Sequence, residues 1–191
     1  MSVYKNEDDV IEALKTAWKD YNPYTKVNLA SYKADEHFEK WFKTGMPQLM
    51  QPEVDVITCE ERGRKVNGYE VKYFRMTDKG INYSYYEGLG EALALLKFGF
   101  DRVALVHVFD GKVPKEQSES YAKNMASLLK KLQLPIDYRY YRVEEAPVGK
   151  LLSSEPYFDA QSPTSNPFIY EEDSKKALAI IRSSLRIPTP P

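Results

Sequence analysis

Near the start of the chain Val10, Ile11, Leu14, Ala17 and Trp18 recur at helical spacing and form one apolar stripe. Asn6 or Asp8 can cap that helix, and Asn22-Pro23 stops it. A second helix is predicted over residues 34–43, with Phe38, Trp41 and Phe42 on one face and Gly45 and Pro47 closing it. The period then changes. Residues 54–59 are compact and β-branched and read as a strand, and residues 60–65 are a polar turn. From Gly68 to Phe74 the chain alternates, with Tyr69, Val71 and Tyr73 on one face and Glu70, Lys72 and Phe74 on the other. These two segments predict an antiparallel hairpin, and residues 81–85 a third strand.

Residues 86–98 predict a helix with Leu89, Ala92, Leu93 and Leu96 inward, ended by Gly99. Residues 102–109 are almost continuously apolar, the pattern of a strand covered on both faces. Pro114 opens a helix that reaches Leu132, and a further strand is expected over 136–143. Strands alternating with helices imply right-handed crossovers onto a partly parallel, mixed sheet flanked by helices, an α/β fold. Residues 144–167 lose the pattern and read as a long loop, followed by a helix over 171–185 and a Pro-rich tail expected to be disordered. The expected organisation is one domain over residues 1–150 and a loop–helix extension over 151–191.

Composition narrows the chemistry. At 191 residues, with 42% hydrophobic and 29% charged positions, the chain suits one soluble core. Its 15 tyrosines are read first as sheet and interface packing. A net charge of -1 gives no global basic field, which argues against a plain nucleic-acid binder but not against an enzyme whose metal site needs carboxylates. Cys59 is the only cysteine, so an internal disulfide and a cysteine zinc cluster are excluded. Only His37 and His107 are available, which disfavours histidine-rich metal sites, and His107 reads as a core histidine within an apolar strand. The N-terminus is polar and acidic, and the longest apolar runs, 92–96 and 103–108, are too short to span a bilayer. A cytoplasmic or otherwise intracellular protein is expected.

Three residues stand out. Glu70 and Lys72 lie two apart on a strand, so the pleat points both to one face, and Asp55 near the start of the preceding strand can approach the same edge. Charges on an otherwise core-like strand cost several kcal/mol unless paired or metal-bound, and such local violations mark functional sites. Two carboxylates and the Val71 carbonyl offer hard oxygen ligands to Mg²⁺ or Mn²⁺. Lys72 would serve the attacking water or the developing phosphoryl charge. The plain alternative is a salt-bridge ladder on a solvated hairpin.

The run Pro52-Glu53-Val54-Asp55, a gap, and then Glu70-Val71-Lys72 resembles the signature of the PD-(D/E)xK, or restriction-endonuclease-like, nucleases. The resemblance spans roughly residues 34–143 and implies an αβββαβ core, a site built on Asp55, Glu70 and Lys72, a bound Mg²⁺ (or Mn²⁺) and a DNA substrate; archaeal Holliday junction resolvases share this plan. The chain departs from the pattern in that Glu53 and Val54 separate Pro52 from Asp55. The family also implies an acidic residue on the preceding helix, for which Glu39 is the choice and Glu36 and Glu12 compete. A polar residue on the following helix matches Glu91. For Glu39 and Glu91 a solvated helix face is the equal alternative.

Arg62, Arg64, Lys65 and Arg75 crowd the hairpin and can contact phosphates beside the metals, or simply solvate a loop. Tyr138, Arg139, Tyr140, Tyr141 and Arg142 read as a nucleic-acid surface or a dimer edge. A homodimer would place two sites on two strands. Gly88 and Gly90 are not followed by the lysine and hydroxyl of a phosphate loop, which excludes that reading. The expected activity is metal-dependent hydrolysis of DNA. The alternatives are a nuclease fold without catalysis that binds nucleic acid or assembles, and a small α/β interaction protein.

Overall fold

A computed structural model describes residues 4–24, 27–28, 53–60, 64–82, 86–143 and 157–187. Helix α1 (Glu7–Ala17) starts at Asn6, whose side chain accepts the Asp9 N–H. Its buried positions Val10, Ile11, Ala13 and Leu14 follow the helical stripe. Then come β1 (Val27–Asn28), β2 (Glu53–Val54), β3 (Val56–Glu60) and β4 (Lys65–Phe74). The short strands β5 (Met76–Thr77) and β6 (Gly80–Ile81) form a separate small hairpin. Helix α2 (Leu89–Leu95) runs into a 3₁₀ turn, Leu96–Phe98, and leads to β7 (Arg102–Asp110), α3 (Lys115–Lys131) and β8 (Asp137–Val143). Strand β9 (Phe158–Ala160), a 3₁₀ turn at Pro167–Tyr170 and α4 (Glu172–Ser184) complete the described chain.

The central sheet is five-stranded and mixed, in the order β3-β4-β7-β8-β9. β3 and β4 are antiparallel, β4, β7 and β8 run parallel, and β9 returns antiparallel. Helices cover both faces. On one side Val56, Tyr69, Val71, Tyr73, Ala104 and Val106 pack with the stripe of α1, Tyr4 and Trp18. On the other, Val66, Phe74, Leu105, Phe109, Tyr138 and Tyr140 pack with residues of α2, α3 and α4. β7 is buried from Val103 to Asp110, which explains its unbroken apolar run. Each fully buried Val, Leu or Ile here contributes about 1.5–3 kcal/mol. Among the described residues no helix is long and apolar enough to cross a membrane.

The sheet differs from the expected order in two places. Among the described residues, 80–81 pair with 76–77 and not with the β3–β4 hairpin, and 83–85, most of the expected third strand, lie outside the described residues. The turn at Asp78–Lys79, followed by Gly80 at φ +106, folds this stretch back on itself. The expected loop over 144–167 contains β9, an edge strand too short to show a period. The helix expected over 34–43, and with it Glu36 and Glu39, lies outside the described residues. The same holds for Arg62, His37 and the Pro-rich tail from residue 188.

Candidate active site

β4 is ten residues long but β3 covers only its first half, with register partners ending at Val56 and Tyr69. The outward N–H groups of Val71 and Tyr73 therefore need other acceptors. Asp55, the single bend residue between β2 and β3, accepts the Val71 N–H through Oδ2 at 2.7 Å. Glu7, in the first turn of α1, accepts the Tyr73 N–H through Oε2 at 3.2 Å. In an extended strand a residue's N–H and C=O point to the same edge, so the Val71 carbonyl shares the edge where these carboxylates sit.

Between them stands Lys72. Its Nζ lies 2.6 Å from Glu70 Oε1, 2.8 Å from Glu91 Oε2 and 3.7 Å from Glu7 Oε1. Glu91 reaches in from the first turn of α2. That approach depends on Gly88, which sits at φ +73 and so close to the sheet that a Cβ would lie 2.9 Å from Leu105 Cδ1, 3.0 Å from Lys72 Cγ and 3.3 Å from Glu70 Cγ. The glycine has a packing role rather than a phosphate-loop one.

This is not a solvated ladder: Asp55 is 3% exposed and Glu70 2%. Three carboxyl groups, those of Glu70, Glu91 and Glu7, gather round the Lys72 ammonium, and the charge of Asp55 acts on Glu70. Glu70 is held well above the ordinary carboxylate range, first by burial, then by its hydrogen bond with Glu91 and the charge of Asp55, with Lys72 pulling the other way. Burial disfavours the Lys72 ammonium, yet the charge and hydrogen bond of Glu70, the hydrogen bond of Glu91 and the charge of Glu7 prevail and hold it above an ordinary lysine. Lys72 thus stays a cation and cannot act as a base at neutral pH.

Among the described residues no three of His, Cys, Asp and Glu form a ready-made chelating group. The donor set on the β4 edge is instead two carboxylates, Asp55 and Glu70, with the Val71 carbonyl, all hard oxygens. Burial first, and then Glu91 and Asp55, push Glu70 toward its protonated form, and a divalent cation bound there would favour the carboxylate instead. The residues fit such an ion.

Of the residues singled out in the sequence, Asp55, Glu70, Val71, Lys72 and Glu91 are brought together. Glu12 is not: it faces solvent on α1 beside Lys15, 3.4 Å away. The helical acid that joins the cluster is Glu7, which sequence reasoning missed. A glutamate directly after a cap looks like an ordinary partner for the helix dipole. The usable signal was the β3-side edge of the second half of β4, whose Val71 and Tyr73 N–H groups must find acceptors outside the sheet.

Arg75 lies just past the cluster, its guanidinium donating to the Lys5 carbonyl and its N–H to Asn82 Oδ1. Arg64 and Lys65 are exposed at the other end of β4, with Lys65 roughly 20 Å from Lys72 along the strand. The β8 run is no open surface: Tyr138, Tyr140 and Tyr141 are buried and β9 pairs its edge. Arg142 donates to the Gly111 and Val113 carbonyls, and the Arg139 guanidinium lies over the rings of Trp18 and Tyr69. His107 is fully buried and satisfied. Its Nε2–H must donate to the Glu87 carbonyl, so Nδ1 accepts from the Tyr138 hydroxyl. Burial pushes its pKa down to about 3. Cys59 is buried.

No protein-family model, curated protein or solved structure matches the chain.

Proposed function

We propose that this protein is a metal-dependent nuclease that hydrolyses DNA phosphodiester bonds at the Asp55–Glu70–Lys72 cluster, on a restriction-endonuclease-like core. The observation that carries the reading is the pair of buried carboxyls Asp55 and Glu70 on the half of β4 that β3 leaves open, with Lys72 held by Glu70, by half-buried Glu7 and by the more exposed Glu91. A stabilising core has no use for such an excess of acid, since buried charge without full compensation is costly. A phosphodiesterase has one.

Asp55 and Glu70, with the Val71 carbonyl, would hold Mg²⁺ or Mn²⁺. When bound, such an ion activates water and stabilises charge on phosphoryl oxygens. Asp55 is oriented by the Val71 N–H, so one carboxylate is fixed before any ligand arrives. Lys72, kept as an ammonium, donates to a phosphoryl oxygen or positions the attacking water. Glu7 and Glu91 hold that ammonium from two helices and fix its direction. Arg75, beside the cluster, is the nearest of the singled-out cations to a phosphate further along the strand.

The test is cleavage of labelled linear, single-stranded, flapped and four-way-junction DNA with Mg²⁺ or Mn²⁺. Cutting that stops with EDTA supports the reading. No cutting of any substrate with either ion refutes it.

A further inference from the structure

Tyr86, Tyr121, Asn124, Met125, Leu128 and Lys131 line a cavity of about 360 Å³ between α3 and the turn that enters α2. Its position relative to the cluster follows from the packing. The Tyr121 ring centroid lies 5.5 Å from that of Phe74 and 5.4 Å from that of His107. Phe74 is two residues beyond Lys72 on the same face of β4, roughly 7 Å along the strand. His107 is the register partner of Lys72 on β7. The opposite wall, Tyr86, precedes by two residues the glycine whose position abuts Lys72 Cγ. The cavity is therefore the next feature along the sheet from the Lys72 ammonium.

The walls have a consistent chemistry. Buried Met125 and half-buried Leu128 are the apolar part of its lining. Tyr86 is 59% exposed and stands at φ 67, a left-handed conformation that a tyrosine rarely adopts. Retained strain of this kind clusters at ligand-binding positions. The turn is held in place because His107 Nε2 donates to the Glu87 carbonyl at 3.1 Å. Asn124 offers a donor and an acceptor to a ring edge, and Lys131 a cation to a phosphate. Aromatic walls, one amide and one cation suit a nucleobase with its phosphate, and the volume suits one nucleoside rather than a duplex.

We infer that this cavity receives an unpaired nucleobase of the DNA strand whose neighbouring phosphate sits at Lys72. This rests on the nuclease reading above and names its substrate class. A base in a duplex cannot enter a cavity without being unstacked, so the preferred substrates are single strands, flaps or DNA with unpaired nucleotides beside the cut.

An oligonucleotide scanned with a single abasic nucleotide tests this, with binding read by fluorescence anisotropy in Ca²⁺ and cleavage in Mg²⁺. Wild type should lose about tenfold in affinity when the abasic position falls at one particular place. Tyr86→Ala, folded by circular dichroism because the side chain is exposed, should bind normal and abasic strands alike, while Tyr86→Phe should still discriminate. A flat scan in wild type, or full discrimination in Tyr86→Ala, overturns the inference. The two readings separate cleanly. Metal-dependent cutting with a flat scan removes the base cavity and leaves the nuclease. One sensitive position, lost in Tyr86→Ala, without cutting of any substrate keeps the cavity and removes the nuclease.

Discussion

The Asp55 carboxylate accepts the Val71 N–H at 2.7 Å and so ties the bend between β2 and β3 to the open edge of β4. A buried hydrogen bond to a charged group contributes about 1.5–3 kcal/mol. Asp55→Ala should lose about that much in urea unfolding, whereas Asp55→Asn keeps an acceptor oxygen and should lose less. Both should lose metal-dependent cleavage. Equal stability of wild type and Asp55→Ala would mean that the bond does not hold the edge.

The two acids of α1 should behave differently. Glu7 bonds the Tyr73 N–H and lies 3.7 Å from Lys72, while exposed Glu12 pairs, among the described residues, with Lys15 in its own helix. Glu7→Gln is expected to lower the cleavage rate by about tenfold or more, as removal of a group that positions a catalytic cation does. Glu12→Gln should leave the rate unchanged and shift stability by less than about 1 kcal/mol. Equal rates for both variants would remove Glu7 from the site.

Gly88 and Gly90 make a matched pair. Alanine at Gly88 needs an unfavourable positive φ and meets Leu105, Lys72 and Glu70 side chains at 2.9–3.3 Å. It should destabilise by about 1–3 kcal/mol and push Glu91 away from Lys72. At Gly90, inside α2, nothing lies within 4 Å of an added Cβ, so Gly90→Ala should stabilise by about 0.5–1 kcal/mol. Thermal unfolding of the two variants reads the contrast directly.

His107 and Glu70 give opposite pH dependences. The folded pKa of His107, about 3, lies below its ordinary 6.5, so between those values the unfolded chain binds a proton that the folded one does not. Its contribution to stability is complete above about pH 6.5 and is lost as pH falls toward 3, at up to about 1.4 kcal/mol per unit. Glu70 is raised, so the folded state holds the extra proton and its contribution is lost as pH rises above the ordinary carboxylate value. Urea unfolding in EDTA should show a shallower acid-side slope for His107→Gln. Glu70→Gln should show a shallower decline from roughly pH 5 to roughly pH 8, and an unchanged slope there would contradict the burial of an ionisable Glu70.

Much of this arrangement was legible from residue order, because periodicity reports which face is buried. The alternation from Gly68 to Phe74 put Glu70 and Lys72 on one face, and the unbroken apolar run of β7 announced a central strand. What was hidden depended on distance in space. Glu7 and Lys72 are 65 positions apart, and only the early end of β3 brings them together. The helix expected over 86–98 starts later, at Leu89, because Tyr86 and Gly88 take positive φ to bring the turn down on Lys72. The alternation of tyrosines and arginines in β8 suggested a surface, yet a strand between β7 and β9 buries its tyrosines whatever their polar tips.

The central claim is tested most directly by the rate of Mg²⁺-dependent DNA cleavage under single turnover for wild type, Lys72→Ala and Glu70→Gln, with Glu12→Gln as the folded control. The account predicts cutting by wild type and Glu12→Gln and a loss of about a hundredfold or more in the other two. Equal rates in all four proteins, or cutting that persists in EDTA, would contradict it.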